Sequence, residues 1–182
     1  MATIYMVRHG RADANAPDPR DPGLDDLGHR QARETAAALA PKGPLPIRSS
    51  PFARARETAA ALAELWEAEV AIEPRVAEIP FPMTDLAERG AWLRRAMAGG
   101  WSGLDDRLQS WRRDLVDCVA RLDRDCVVFC HFIAINVAAG AAQGDDRLVI
   151  FQPDNASVTV LSNDGGKLRL LEFGREAATK VN

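Results

Sequence analysis

The chain has 182 residues, 47% of them hydrophobic and 27% charged, with a formal net charge of −3. That balance suits one soluble globular domain with a sizeable core, and the mild negative charge offers nucleic acid or an anionic membrane no general attraction. Three cysteines (Cys118, Cys126, Cys130) without CxxC spacing argue against a disulfide framework, and three histidines (His9, His29, His131) without zinc-finger or HExxH spacing argue against a metal site.

In chain order, residues 3–7 read as a strand that runs into Arg8-His9-Gly10, with none of the basic start or cleavage site of a secretory signal. A polar, proline-rich loop follows through Pro22. Asp25 reads as the N-cap of a helix carrying Leu27, Ala32, Ala36 and Leu39, which stops near Pro41-Lys42-Gly43. A short strand over 45–48 leads to Ser49-Ser50-Pro51. Ser50 as N-cap and Pro51 at the first helical position predict a second helix, with Phe52, Ala55, Ala59, Leu62 and Trp66 near one face.

Residues 70–73 read as a third strand. The stretch 79–103 contains Pro80, Pro82, Gly90, Gly99 and Gly100 and is expected to be an irregular insertion roofing a site, with a helix over 85–98. A longer amphipathic helix is expected over 104–122. Cys126-Val-Val-Phe-Cys130 is a near-continuous apolar run, as for a strand buried on both faces. Residues 132–142 look helical; the apolar stretch 127–142 is broken by His131 and Asn136 and is too short to span a bilayer, so a cytoplasmic protein is expected. Two last strands, near 157–162 and 167–173, flank the hairpin signal Asn163-Asp-Gly-Gly166.

Strands alternating with helices predict an α/β fold: a three-layer αβα sandwich over 1–182, its sheet mostly parallel with one antiparallel edge hairpin. Ligands of such sheets bind beyond the carboxyl ends of the strands. His9 and His131 both fall just past strand ends, which makes a candidate site of two distant residues. A neutral imidazole fixed in line with a leaving oxygen is a good nucleophile toward phosphorus. Arg8 offers a planar fork of donors to phosphoryl oxygens, and Gly10 allows close approach. Arg54 sits one turn into the second helix, whose N-terminus favours anions. Glu78 lies in a loop after the third strand, where a proton donor could stand. Two arginines and two histidines supply most of what phosphoryl transfer requires.

The sequence resembles the histidine phosphatase superfamily, the phosphoglycerate-mutase-like proteins. The resemblance rests on Tyr5-Met-Val-Arg-His-Gly10 with Asn15, Leu24-Asp-Asp-Leu-Gly-His-Arg-Gln-Ala32, and Ser49-Ser-Pro-Phe-Ala-Arg-Ala-Arg-Glu-Thr-Ala59. Val76-Ala-Glu-Ile79, Val127-Val-Phe-Cys-His131 and Asp154-Asn-Ala-Ser-Val-Thr-Val-Leu161 extend it over nearly the whole chain. It implies an αβα sandwich and a reaction needing neither metal nor organic cofactor. His9 would be phosphorylated, while Arg8, Arg54 and His131 would bind the phosphoryl group and Asn15 would add a hydrogen bond at the rim. Glu78 would protonate the leaving alcohol and then accept a proton from water. Three features depart from the family pattern. Arg11-Ala12 replace an acid or amide followed by Thr or Ser, adding positive charge that would favour a second anionic group. Phe132 replaces a glycine, where its ring would narrow the pocket. Ile79-Pro-Phe-Pro82 follows Glu78 in place of a glycine and acidic continuation, leaving Glu73, Asp85 and Glu88 as other candidates for the acid.

The leading expectation is hydrolysis of a small phosphorylated metabolite, a phosphate monoester, releasing phosphate. Alternatives are a phosphatase of phosphohistidine or other phosphoprotein side chains, a phosphoglycerate mutase, and a non-catalytic phosphate-binding module. The chain is short beside the mutases it resembles, which speaks against their enclosing insertions, and four retained pocket residues speak against a mere binding module. Against each chemical role stands a plainer one. His131 could satisfy a backbone carbonyl, and Glu78, Asn15 and Arg11 could be solvated loop residues. His29 is expected on an exposed helix face. The tryptophans are expected to pack, with Trp92 and Trp101 the ones placed to roof a site. An exposed edge strand or helix could support a homodimer.

Overall fold

The structure, a computed structural model, describes residues 1–81 and 86–177. Six strands form one sheet in the order β3-β2-β4-β1-β5-β6. They are β1 (Ala2–Arg8), β2 (Ile47–Ser49), β3 (Val70–Ile72), β4 (Cys126–Cys130), β5 (Val158–Asp164) and β6 (Lys167–Glu172). The first four run parallel, while β5 is antiparallel to both β1 and β6, which produces the mostly parallel sheet with an antiparallel edge hairpin. The helices are α1 (Asp26–Leu39), α2 (Ala53–Trp66), α3 (Leu86–Met97), α4 (Asp106–Ala120) and α5 (Phe132–Gln143).

Period-two alternation on the central strands separates two cores. Ile4, Met6, Val128 and Cys130 point to one layer, where they pack with Leu115, Val119 and Ile135 of α4 and α5. Val7, Val127 and Phe129 point to the other, against Ala36 and Leu39 of α1 and Ala59 and Leu62 of α2. All five residues of β4 are buried, which is why its sequence shows no polar alternation. The cysteines are all free and buried.

Local signals fix most helix ends. Asp25 Oδ1 accepts from the Gly28 N–H at 2.7 Å and starts α1, and Asp105 Oδ1 does the same for Leu108 at 3.0 Å at the head of α4. Gly144 closes α5 with a φ of 68°, a left-handed position that suits glycine. The expected start of α2 is wrong by two residues: Phe52, not Ser50, is its N-cap. Ser50 Oγ still accepts from the Phe52 N–H at 3.3 Å, but it also lies 2.8 Å from His131 Nε2, a tertiary partner that no local pattern reveals. Asp85 and the expected first turn of the 85–98 helix lie outside the described residues.

Candidate active site

The loops that leave the carboxyl ends of β1 and β4 are adjacent because those strands pair in parallel, with Arg8 opposite Cys130. The next residues, His9 and His131, therefore meet, their ring centroids 5.2 Å apart. His9 Nδ1 lies 2.7 Å from its neighbour's carbonyl, Gly10 O. A carbonyl only accepts, so the ring proton sits on Nδ1 and the lone pair on Nε2. Arg54 Nε donates to that Nε2 at 3.3 Å. Burial, then the charges of Arg54 and Arg8, push the His9 pKa down to about 3, so the imidazole is neutral across the physiological range. His131 is fully buried, and burial, then His9 and the two arginines, hold its pKa well below the ordinary histidine value.

The backbone of His9 is tied down by segments far apart in sequence. Its N–H donates to Cys130 O at 3.1 Å, and its carbonyl accepts from Asn155 Nδ2 at 3.1 Å and from the Ala156 N–H at 3.2 Å. The Gly10 N–H donates to Thr58 Oγ1 at 3.0 Å, and that hydroxyl donates onward to Arg54 O at 2.7 Å. Thr58 thus locks the loop that carries His9 to the helix that carries Arg54. Gly10 also packs against α1 so tightly that a Cβ there would stand 2.6 Å from Gly28 O.

Arg8 donates through Nη1 to Pro153 O at 2.8 Å, and its guanidinium stands 5.2 Å from the centre of the Phe132 ring. The Phe132 ring thus braces an arginine. Two buried polar atoms here, Arg8 Nε and His131 Nδ1, have no hydrogen-bond partner among the described residues. Buried polar groups are normally satisfied, so two such atoms on residues next to His9 suit an anion with several acceptor oxygens.

Glu78 lies across the pocket. Its Oε1 accepts from the Ile79 N–H at 3.0 Å and its Oε2 from the Ile133 N–H, in the first turn of α5, at 3.2 Å. Burial nevertheless raises its pKa above the usual carboxylate value, against those two hydrogen bonds and the pull of Arg54 and Arg8. A cleft of about 470 Å³ opens beside Glu78 and Arg54. Ile79, Pro80 and Phe81 and, from α3, Arg89 form part of its wall.

The sequence pattern of the histidine phosphatase superfamily (branch 1) matches residues 4–176. The chain belongs to that superfamily. Within it, the chain is 28% identical over 121 residues to a probable phosphoglycerate mutase, GpmB, of Proteus mirabilis. That match covers 64% of the chain and only 51% of the relative, so it spans about half the mutase's length. Among solved structures, a mycobacterial glucosyl-3-phosphoglycerate phosphatase in complex with VO3 superposes with a TM-score of 0.76 at 25% identity, covering 98% of this chain and 100% of the other. A phosphoserine phosphatase of Entamoeba histolytica, in complex with 3-phosphoglyceric acid, shares the fold with a TM-score of 0.75 at 23% identity, over 96% and 98% of the two chains.

Other residues singled out from the sequence make different contacts. Arg11, 56% exposed, is paired through Nε to Asp25 Oδ2 at 2.5 Å, so the N-cap of α1 offsets the charge expected at the mouth. Asn15 is exposed in the 11–22 loop, its backbone N–H donating to Asp13 Oδ1. Glu73 is unsuited to be the acid: Arg75 bonds both its oxygens, at 2.8 and 2.7 Å, and holds its pKa down to about 2. Glu88 is exposed on α3. Trp101 is fully buried, stacked on Trp111, so it packs the core and Trp111 lines the cleft instead.

Three contributors escaped sequence reasoning. Ser50 holds His131, Thr58 bridges Gly10 to Arg54, and Asn155 holds the His9 carbonyl. All three stand in the segments that carry the family resemblance, but their residue types signal only capping and turns.

Proposed function

We propose that the chain is a phosphatase that hydrolyses phosphate monoesters through a phosphohistidine on His9. The observation that carries this reading is the tautomer of His9: with Nδ1–H bound to Gly10 O, the Nε2 lone pair is presented beside Arg54 on a ring kept neutral. The phosphoryl group would sit among Arg54, Arg8 Nε and His131 Nδ1, giving the two unpartnered atoms their acceptors. A hydroxyl proton from Ser50 to His131 Nε2 would leave the ring's other proton on Nδ1, facing a phosphoryl oxygen.

In the first step, His9 Nε2 attacks phosphorus and the ester oxygen leaves with the proton of Glu78, whose raised pKa keeps that proton available. In the second, the Glu78 carboxylate takes a proton from water as the water oxygen attacks phosphorus. The P–N bond breaks, and phosphate and neutral His9 are regenerated. Residues 79–81 and α3 form the roof over the leaving-group side.

The similarity to a probable phosphoglycerate mutase motivates a second reading, in which the phosphohistidine returns its group to a substrate hydroxyl. The test uses wild type and His9→Ala with an aryl phosphate and excess chelator, trapping the enzyme by rapid quench. Turnover with an acid-labile, base-stable phosphoenzyme, both lost in the variant, supports the hydrolase. Equal inertness of the two proteins defeats it, and efficient interconversion of phosphoglycerates shifts the assignment to the mutase.

A further inference from the structure

The cleft that continues from the pocket is far larger than a phosphoryl group, so most of its volume is left for the alcohol part of the ester. Its walls are mostly apolar: Phe52, Ile79, Pro80, Phe81 and Trp111 all face it. Among the described residues that line it, the polar side chains are Arg20, Arg54, Arg89 and Glu78, with no Ser, Thr, Asn, Gln or Asp.

That inventory discriminates between classes of alcohol. Each hydroxyl of a sugar is both donor and acceptor, so a site for a polyol needs acceptors as well as donors. Arginine only donates. Glu78, the one carboxylate among the described residues that line it, accepts from the Ile79 and Ile133 N–H groups and is committed, in the reading above, to the ester oxygen. The Pro80 carbonyl on the cleft wall accepts from Arg107 Nη2 at 3.0 Å. With three arginines and Glu78 as the polar side chains of the described lining, a polyol would meet many donors and few acceptors, whereas an apolar group would bury surface against the apolar walls.

The aromatic walls are also held in place. Phe81 meets Trp92 edge-on with centroids 5.8 Å apart, and the Arg89 guanidinium lies 5.4 Å from the Phe81 ring centre. Trp111 is stacked on the buried Trp101, with centroids 5.9 Å apart. Two braced aromatic side chains on the wall of the cleft that also holds Glu78 offer a flat, apolar group fixed surfaces to pack on.

Building on the phosphatase reading above, we infer that the substrates are phosphate esters of apolar, ring-bearing alcohols, selected by Phe81 and Trp111, and not sugar phosphates. The test compares three esters of primary alcohols, so that leaving-group chemistry is matched: naphthylmethyl phosphate, glycerol phosphate, and a hexose phosphorylated on its primary hydroxyl. Binding of the three corresponding phosphonates is measured by calorimetry on the same protein. The naphthylmethyl compound is expected to exceed both polyol compounds in kcat/KM and in affinity by roughly tenfold or more, the discrimination an apolar pocket can supply. Phe81→Ala is expected to shrink that ratio severalfold. A hexose ester that equals or beats the naphthylmethyl ester, or a ratio unmoved in folded Phe81→Ala, overturns the inference. If no ester is turned over, the phosphatase reading has failed separately, and the order of phosphonate affinities alone decides the cleft's preference. If Phe81→Ala does not fold, the wild-type order decides it.

Discussion

On the side of the pocket proposed for the nucleophile, His9 and His131 leave the ends of two paired parallel strands; Cys130 and Asn155 hold the His9 backbone, Thr58 holds Gly10, and Ser50 holds the His131 ring. On the leaving-group side, Glu78 follows a single 3₁₀ turn (Pro74–Val76), belongs to no strand, and is anchored by its own carboxylate to the start of α5. Rigid strand ends suit chemistry that must hit phosphorus in line. An irregular, proline-containing wall suits the part of the site that has to fit one alcohol and reject another. The first side is shaped by the fold, the second by residues particular to this chain.

Substitutions should separate the two sides, with the largest losses on the first. His9→Ala should remove turnover by a factor on the order of 10⁴ or more, because no other group can carry the phosphoryl. Glu78→Gln should lower kcat by about 10²–10⁴-fold for alkyl esters and much less for nitrophenyl phosphate, whose leaving group needs no proton. An equal loss on both ester types would place the acid elsewhere. The same pair sets the pH profile. Activity should rise as His9 loses its proton near pH 3 and fall again as Glu78 ionises above the ordinary carboxylate range. In Glu78→Gln the alkaline fall should vanish while the acid limb stays.

Gly10→Ala and Ser50→Ala probe support rather than chemistry. The first forces a Cβ onto Gly28 O and should cost about 1–3 kcal/mol of stability, with a parallel loss of kcat. The second leaves His131 Nε2 without its partner and should cost about 1–3 kcal/mol, read by denaturant titration. The smallest effect is expected from Arg11→Ala. Its exposed ion pair with Asp25 is screened by solvent, and neither stability nor kcat/KM should move measurably. A large KM rise in that variant would return Arg11 to the pocket mouth.

Stability should follow the buried imidazoles. Both have depressed pKa values in the folded chain, so between the ordinary histidine pKa and about pH 3 the unfolded chain takes up protons that the folded chain refuses. Stability is therefore expected to fall on acidification through that window. Glu78 opposes this, since its raised pKa favours the folded state on acidification, but one carboxyl is set against two imidazoles. Urea midpoints at about pH 7 and pH 5 read the sign.

The contrast between the two sides also decided what the sequence could reveal. Period and apolar runs place β1 and β4, so His9 and His131 emerge together from the rule that ligands sit beyond strand ends. The partner of Ser50 stands 81 residues away and that of Glu78 55 residues away. A Ser-Pro pair reads locally as a helix start, and nothing in Pro-rich loop chemistry reports which backbone N–H a carboxylate will find. The Arg11 pairing was hidden for the same reason: the charge is visible in the sequence, but the Asp25 that answers it is recognisable only as a cap.

The sheet order carries a consequence for synthesis. β1 is made first, yet both its neighbours, β4 and β5, come from the later part of the chain, and the carbonyl of His9 waits for Asn155 and Ala156. While the ribosome is still extending the chain, β1 has no strand to pair with and the nucleophile has no fixed backbone. A nascent or truncated product that ends before residue 155 would carry the complete Arg8-His9-Gly10 signature without a formed site. Catalytic competence therefore arrives late in translation, and in one step.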